Sequence, residues 1–221
     1  WRQFADGSFD PLRVPNVILD LAEVEQFVSD CVADSDQPFL EFYLPKELLS
    51  LGVEQWAYYG SALGDSFPVV VRLRDRSAGI LPRQLLSNWR AVSERILQKF
   101  QFGEKPRACW LPNDQLPHAK LMPHIKDKDF GACIAFEALP ETRLLEAVLF
   151  GGAPYAIWPR QSPADAKKFR RKLDGKLGEA HLNNFPDRMR ALRQAGDSGS
   201  EMTLLWDEPA RNPFEKFTPL D

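Results

Sequence analysis

Glu137, Arg160, Asp207 and Glu208 each stand just after a short apolar run in the C-terminal third of the chain. The runs are FGACIAF (130–136), AIW (156–158) and MTLLW (202–206). Ligands of open parallel sheets sit at the carboxyl ends of the strands. If these three runs are parallel strands, the four charges share one edge, and Trp158, Trp206 and Arg211 flank them. That edge is a candidate ligand or partner site. Carboxylates there could serve a hydrolase as acid and base, provided a pocket raises their pKa. Arg160 could also form a bidentate pair with Asp207 or Glu208, in which case the group is a salt bridge that fixes the turns.

A second set is basic. Residues 167–176 hold six cations and one acid, and Arg188, Arg190 and Arg193 follow on the next helix. Lys167, Lys168, Arg170, Arg171, Lys172, Arg190 and Arg193 form the candidate basic face. In a chain of net charge -3, this asymmetry suits the phosphates of a nucleic acid. Phe169 is the one aromatic interleaved, and it belongs to the apolar stripe, so bases have no stacking platform. A solvated face or an acidic protein partner fits the same residues.

Other chemistry is incomplete. Gly196-Asp197-Ser198-Gly199 matches the heart of a trypsin-like serine signature, but position 200 is Ser and no Ala-Ala-His-Cys stretch lies upstream. His118, His124 and His181 lack the spacing of a zinc site, so no metal is expected. No phosphate loop, dinucleotide fingerprint or nucleophile elbow occurs, and no cofactor is expected. Cys31, Cys109 and Cys133 are widely spaced within apolar patterns and read as buried free thiols of a reducing cytosol.

The elements that would position these groups follow from periodicity. Helices are expected at 20–33, 82–101, from 140 to Gly151-Gly152, from Ser162-Pro163-Ala164-Asp165 onward, and at 186–195. Strands are expected at 39–44, 53–59, 67–74, 107–111, 130–136, 156–158 and 202–206. Pro112 to Lys128 reads as an exposed loop. The expected fold is α/β with one mixed sheet: an antiparallel meander over 39–74 joined to a C-terminal parallel β-α-β-α-α-β unit. At 221 residues one domain would bury roughly 70% of its unfolded surface without a staple. No run approaches a membrane span. The chain opens without Met or a signal peptide, so 1–221 is expected to be a C-terminal domain of a longer, cytoplasmic polypeptide.

The stretches FLEFYLPKELL, VEQW, FPVVVRLRDR, GGAPYAIWPR and MTLLWDEPARNP, spanning about 39 to 213, resemble the C-terminal domain of vWA-MoxR associated proteins. The resemblance implies an adaptor or sensor component of a bacterial conflict or antiviral defense system. Implied partners are a MoxR-type AAA+ ATPase, a von Willebrand A-type protein or a trypsin-like peptidase. An effector-associated domain would lie N-terminal in the same polypeptide. No catalytic residues carry over from the family. Trp-Asp-Glu-Pro-x-Arg and Trp-Pro-Arg are the family-like positions. The expected role is non-enzymatic, with the strand-end hydrolase and the nucleic-acid sensor as alternatives.

Overall fold

A computed structural model describes residues 2–3, 9–10, 21–32, 38–101, 107–111, 123, 125, 133–178, 184–196 and 201–211. The main sheet has six strands: β1 (Leu40–Leu44), β2 (Val69–Leu73), β3 (Ala108–Leu111), β4 (Cys133–Phe136), β5 (Tyr155–Pro159) and β6 (Met202–Trp206). Their spatial order is β1-β2-β6-β5-β4-β3. Among the described residues the longer helices are α1 (Leu21–Val32), α2 (Arg83–Gln101), α3 (Thr142–Gly151), α4 (Ala166–Gly178) and α5 (Phe185–Gln194), and two single-turn helices lie at Leu63–Ser66 and Arg74–Ser77.

The strands are runs of apolar and β-branched residues, and every residue of β2, β4, β5 and β6 is buried. Successive side chains point to opposite faces, so both faces of the sheet's centre are covered. Helices α2 and α3 touch one another, as do α4 and α5. Trp89, Val92 and Ile96 are the buried stripe of α2, and Phe169, Leu173 and Leu177 that of α4. Helix α4 begins at Ala166, three residues later than Pro163 suggests, because Asp165 is the cap: its Oδ1 accepts the Lys168 N–H at 2.9 Å.

The fold is α/β with a mixed sheet, as the sequence predicts, but strand directions differ in two places. First, β1 and β2 are parallel, with Phe42 opposite Val71, not the arms of an antiparallel meander. Part of the expected strand at 53–59 instead forms a 3₁₀ turn, Val53–Gln55, followed by the two-residue strand Ala57–Tyr58. That strand pairs with Ser61–Ala62 in a small separate hairpin, and the whole 45–68 segment serves as the crossover. Second, β6 is antiparallel to β5, with Met202 opposite Pro159 and Trp206 opposite Tyr155.

The second difference has a simple cause. One helix between strands returns the chain to the edge where the first strand began, which gives the parallel β4-α3-β5 unit. Two helices, α4 then α5, carry it down and back up, so β6 starts at the edge where β5 ends. The result is two parallel three-stranded halves, β1-β2-β6 and β5-β4-β3, running in opposite directions.

Candidate functional site

The antiparallel junction divides the expected single edge into two. Glu137 and Arg160 follow β4 and β5 at one end of the sheet, while Asp207 and Glu208 follow β6 at the other. The expected pairing of Arg160 with Asp207 or Glu208 does not form.

At the Asp207 end the chain leaves β6 beside the carboxyl ends of β1 and β2. Asp207 is fully buried. Its Oδ2 accepts from Arg76 Nη1 at 3.0 Å, and its Oδ1 lies 3.8 Å from Arg72 Nε. The backbone is fixed as firmly as the carboxylate. The Asp207 N–H donates to Pro154 O at 2.7 Å, and the Trp89 indole N–H donates to Asp207 O at 2.5 Å. Arg76 also donates to the Leu149 and Ala153 carbonyls, satisfying the end of α3, and its guanidinium lies 5.5 Å from the Trp89 ring centroid. Arg72 donates to Glu208 O at 2.6 Å and to Glu41 Oε2 at 3.2 Å, and Tyr43 donates to the same Glu41 oxygen at 2.8 Å.

Burial sets the protonation energetics at this end. It raises the Asp207 carboxyl above its usual value, with Arg76 and Arg72 opposing. It likewise lowers Arg76, with Asp207 opposing. At Arg72 the depressing effect of burial is outweighed by Glu41, Tyr43 and Asp207, and the net direction is upward. The Tyr43 hydroxyl is pushed up, chiefly by burial. Asp207 is therefore a buried counter-ion between two guanidiniums.

The Arg160 end is built mainly on backbone. Arg160 Nε donates to Glu54 Oε1 at 2.9 Å, and its Nη atoms reach the Ser50 and Leu51 carbonyls at 2.5 and 2.6 Å. Thr203 Oγ1 donates to the same Glu54 oxygen at 2.6 Å. The Arg160 guanidinium also lies 5.9 Å from the centre of the Trp158 ring. Beside it Arg193, placed on the basic face by the sequence, is buried instead. It donates to Met202 O at 2.8 Å from Nη2 and at 3.0 Å from Nε, and to Val69 O at 3.3 Å. Gly64 makes room for its stem, since a Cβ there would stand 2.9 Å from Arg193 Cδ. Burial lowers the Arg193 pKa to about 10.

The basic face survives on α4. Lys167, Lys168, Arg170 and Arg171 are exposed, and Lys172 and Arg190 are half-buried. Arg170 pairs with Glu137 at 3.1 Å and lies 5.0 Å from the Trp110 ring centroid, and Arg190 pairs with Asp187 at 3.7 Å. The side chain of Arg211, His118, His124, His181 and residues 197–199 of the Gly-Asp-Ser-Gly run lie outside the described residues, as does the Pro112–Lys128 segment except Pro123 and Ile125. Both of these are helical and Ile125 is fully buried, its carbonyl accepting from Arg95 Nη2 at 2.9 Å, so the segment is not the wholly exposed loop expected. Among the described residues no His, Cys, Asp and Glu group could hold a metal ion. Nor is any helix there long and apolar enough to cross a membrane. Cys133 is buried and Cys109 half-buried, and burial raises both thiols.

A family model, the vWA-MoxR associated protein C-terminal domain, matches residues 2–209. The chain belongs to this family. No curated protein and no solved structure matches it. In this vWA-MoxR associated C-terminal domain, both motifs singled out by resemblance sit at sheet ends: Trp-Pro-Arg closes β5 and Trp-Asp-Glu-Pro closes β6. Their polar partners were missed in the sequence. Arg72 lies inside the apolar run FPVVVRLR, and Glu54 lies inside VEQW. For Arg72 a signal was available, since a charge enclosed by apolar residues on a central strand needs a buried partner; Glu54, on the Val53–Gln55 turn, offered none.

Proposed function

We infer that this domain is a non-enzymatic adaptor or sensor of a bacterial conflict system, working in the cytoplasm. It would couple a fused N-terminal module to partner proteins of the MoxR-type ATPase, von Willebrand A-type or trypsin-like peptidase kind. The observation that carries this reading is the use made of Asp207. The one carboxylate of the Trp-Asp-Glu-Pro motif that is wholly buried is held by two arginines that also hold α3 and Glu208. Groups spent in this way stiffen a scaffold. A hydrolase working through Glu137, Asp207 and Glu208 would need them to converge, and they stand at opposite ends of the sheet.

The test is a pull-down of the full-length protein from its host at moderate salt, read by mass spectrometry. Recovery of an ATPase, a von Willebrand A-type protein or a peptidase encoded nearby is the expected result. Recovery of the bait alone, or a substrate turned over at a rate lost on Asp207→Ala, would overturn the reading.

A further inference from the structure

We propose that the exposed face of α4 bearing Lys167, Lys168 and Arg171 is the docking surface for an acidic segment of a partner protein. The proposal rests on the adaptor reading and names where and how a partner would be held. Positions 167 and 171, and 168 and 171, are neighbours on a helix surface, about 5–6 Å apart. The three cations therefore form one compact patch, all exposed. The nearby carboxylates are already committed. Asp165 caps the helix through the Lys168 N–H, Asp174 accepts the Trp110 indole N–H at 2.9 Å, and Glu137 pairs with Arg170. Among the described residues no carboxylate lies within ion-pair distance of Lys167, Lys168 or Arg171. This local excess of positive charge occurs in a chain of net charge -3.

Two observations favour a peptide over a nucleic acid. A base needs an open aromatic face, and the nearest indole, Trp110, has Arg170 over its ring, Phe169 against it at a centroid distance of 5.7 Å, and its N–H spent on Asp174. Asp174 is also exposed, one helical turn beyond Arg171. A phosphodiester strand carries a negative charge at every step and would set one against Asp174. A peptide can place carboxylates against the three cations and a neutral or basic residue against Asp174.

The experiment is fluorescence anisotropy with the whole chain, using a labelled Glu/Ala peptide and a labelled oligothymidine as probes. The peptide is expected to bind at low salt and to be released as salt rises. The triple variant Lys167→Glu, Lys168→Glu, Arg171→Glu should weaken peptide binding about tenfold or more. The triple Ala variant, which keeps good helix formers, should give an intermediate loss, and unchanged circular dichroism would show that the fold is kept. The double variant Arg83→Glu, Arg143→Glu, on exposed positions of α2 and α3, should bind as the parent does. The proposal is overturned by no peptide binding at low salt or by equal loss in the Arg83/Arg143 control. It is also overturned if the oligothymidine binds more tightly than the peptide and is lost in the same triple variant. If partners still co-purify while the peptide fails, the adaptor reading stands and only this surface is wrong. If the peptide binds and no partner co-purifies, the reverse holds.

Discussion

At the Asp207 end of the sheet a single carboxylate lies between two guanidiniums, whereas at the Arg160 end guanidiniums are held mostly by backbone carbonyls. Both ends are buried and both carry a family-like motif, yet they should fail differently. A carbonyl is a neutral dipole, and losing its donor costs one unsatisfied acceptor, about 1–3 kcal/mol. Losing Asp207 would take from the buried Arg76 the carboxylate it pairs with and from Arg72 one of its two described carboxylates, and stranding a buried charge costs about 3–5 kcal/mol. Charge answered by charge makes a brittle junction, and charge answered by backbone a tolerant one.

The largest expected effect tests this directly. Asp207→Ala should lower the unfolding free energy by about 3–5 kcal/mol, measured by urea denaturation. Removing a charge from each side, Asp207→Leu with Arg76→Met, should cost less than the two single changes added together, because neither leaves the other's partner stranded. A strictly additive double variant would show that the pair is not coupled. At the opposite end, Arg193→Met keeps the stem's packing and strands the Met202 and Val69 carbonyls, each at about 1–3 kcal/mol, but it also removes the cost of burying the guanidinium, so a smaller net loss than that of Asp207→Ala is expected. A loss equal to that of Asp207→Ala would erase the distinction between the ends.

Crowding at the Asp207 end can be separated from charge. Gly152 ends α3 with φ of 89°, and a Cβ there would stand 3.0 Å from the Asn88 carbonyl atoms and Trp89 N. Gly152→Ala should cost about 1–3 kcal/mol through left-handed strain and displacement of α2. Thermal unfolding would read the loss, and Trp89, which donates to Asp207 O, supplies a local fluorescence signal. A variant as stable as the parent would mean that α2 yields freely and that the ion pairs alone hold this end.

The elements were legible where one principle decided them. Apolar runs placed all six main strands, the helical stripe of Trp89, Val92 and Ile96 placed α2, and Gly152 ended α3 as expected. The direction of β6 was legible too, by counting helices between strands: one in 137–154, two in 160–201. Reading β-α-α-β as another parallel unit put Asp207 and Arg160 on the same edge. The crossover between β1 and β2 gave a comparable warning, since 45–68 is far longer than a hairpin loop. The polar partners were less visible. Glu54 and Thr203 meet Arg160 across the fold, and nothing local to either residue announces the contact. Arg193 looked like part of a charged face because its helix periodicity fits both a solvated and a buried position.

The smallest expected effect is also the one whose sign decides which force prevails at Asp207. Burial raises its carboxyl above the ordinary 3.8, with Arg76 and Arg72 pulling the other way. A carboxyl raised in the folded state holds its proton to higher pH than in the unfolded state. Its contribution to stability is therefore fully present below 3.8 and is lost as pH rises through the folded value. Against Asp207→Asn, which has no such proton, the parent's unfolding free energy should fall with rising pH over that interval. The slope difference can be at most about 1.4 kcal/mol per pH unit, one proton's worth. Urea titrations of both proteins across the acid range measure it. The opposite slope, with the parent gaining on the variant as pH rises, would mean that the two guanidiniums depress the carboxyl more than burial lifts it. The Asp207 end would then be a stabilising ion pair and not a costly one, and the contrast between the two ends of the sheet would narrow to the difference in what each variant leaves stranded.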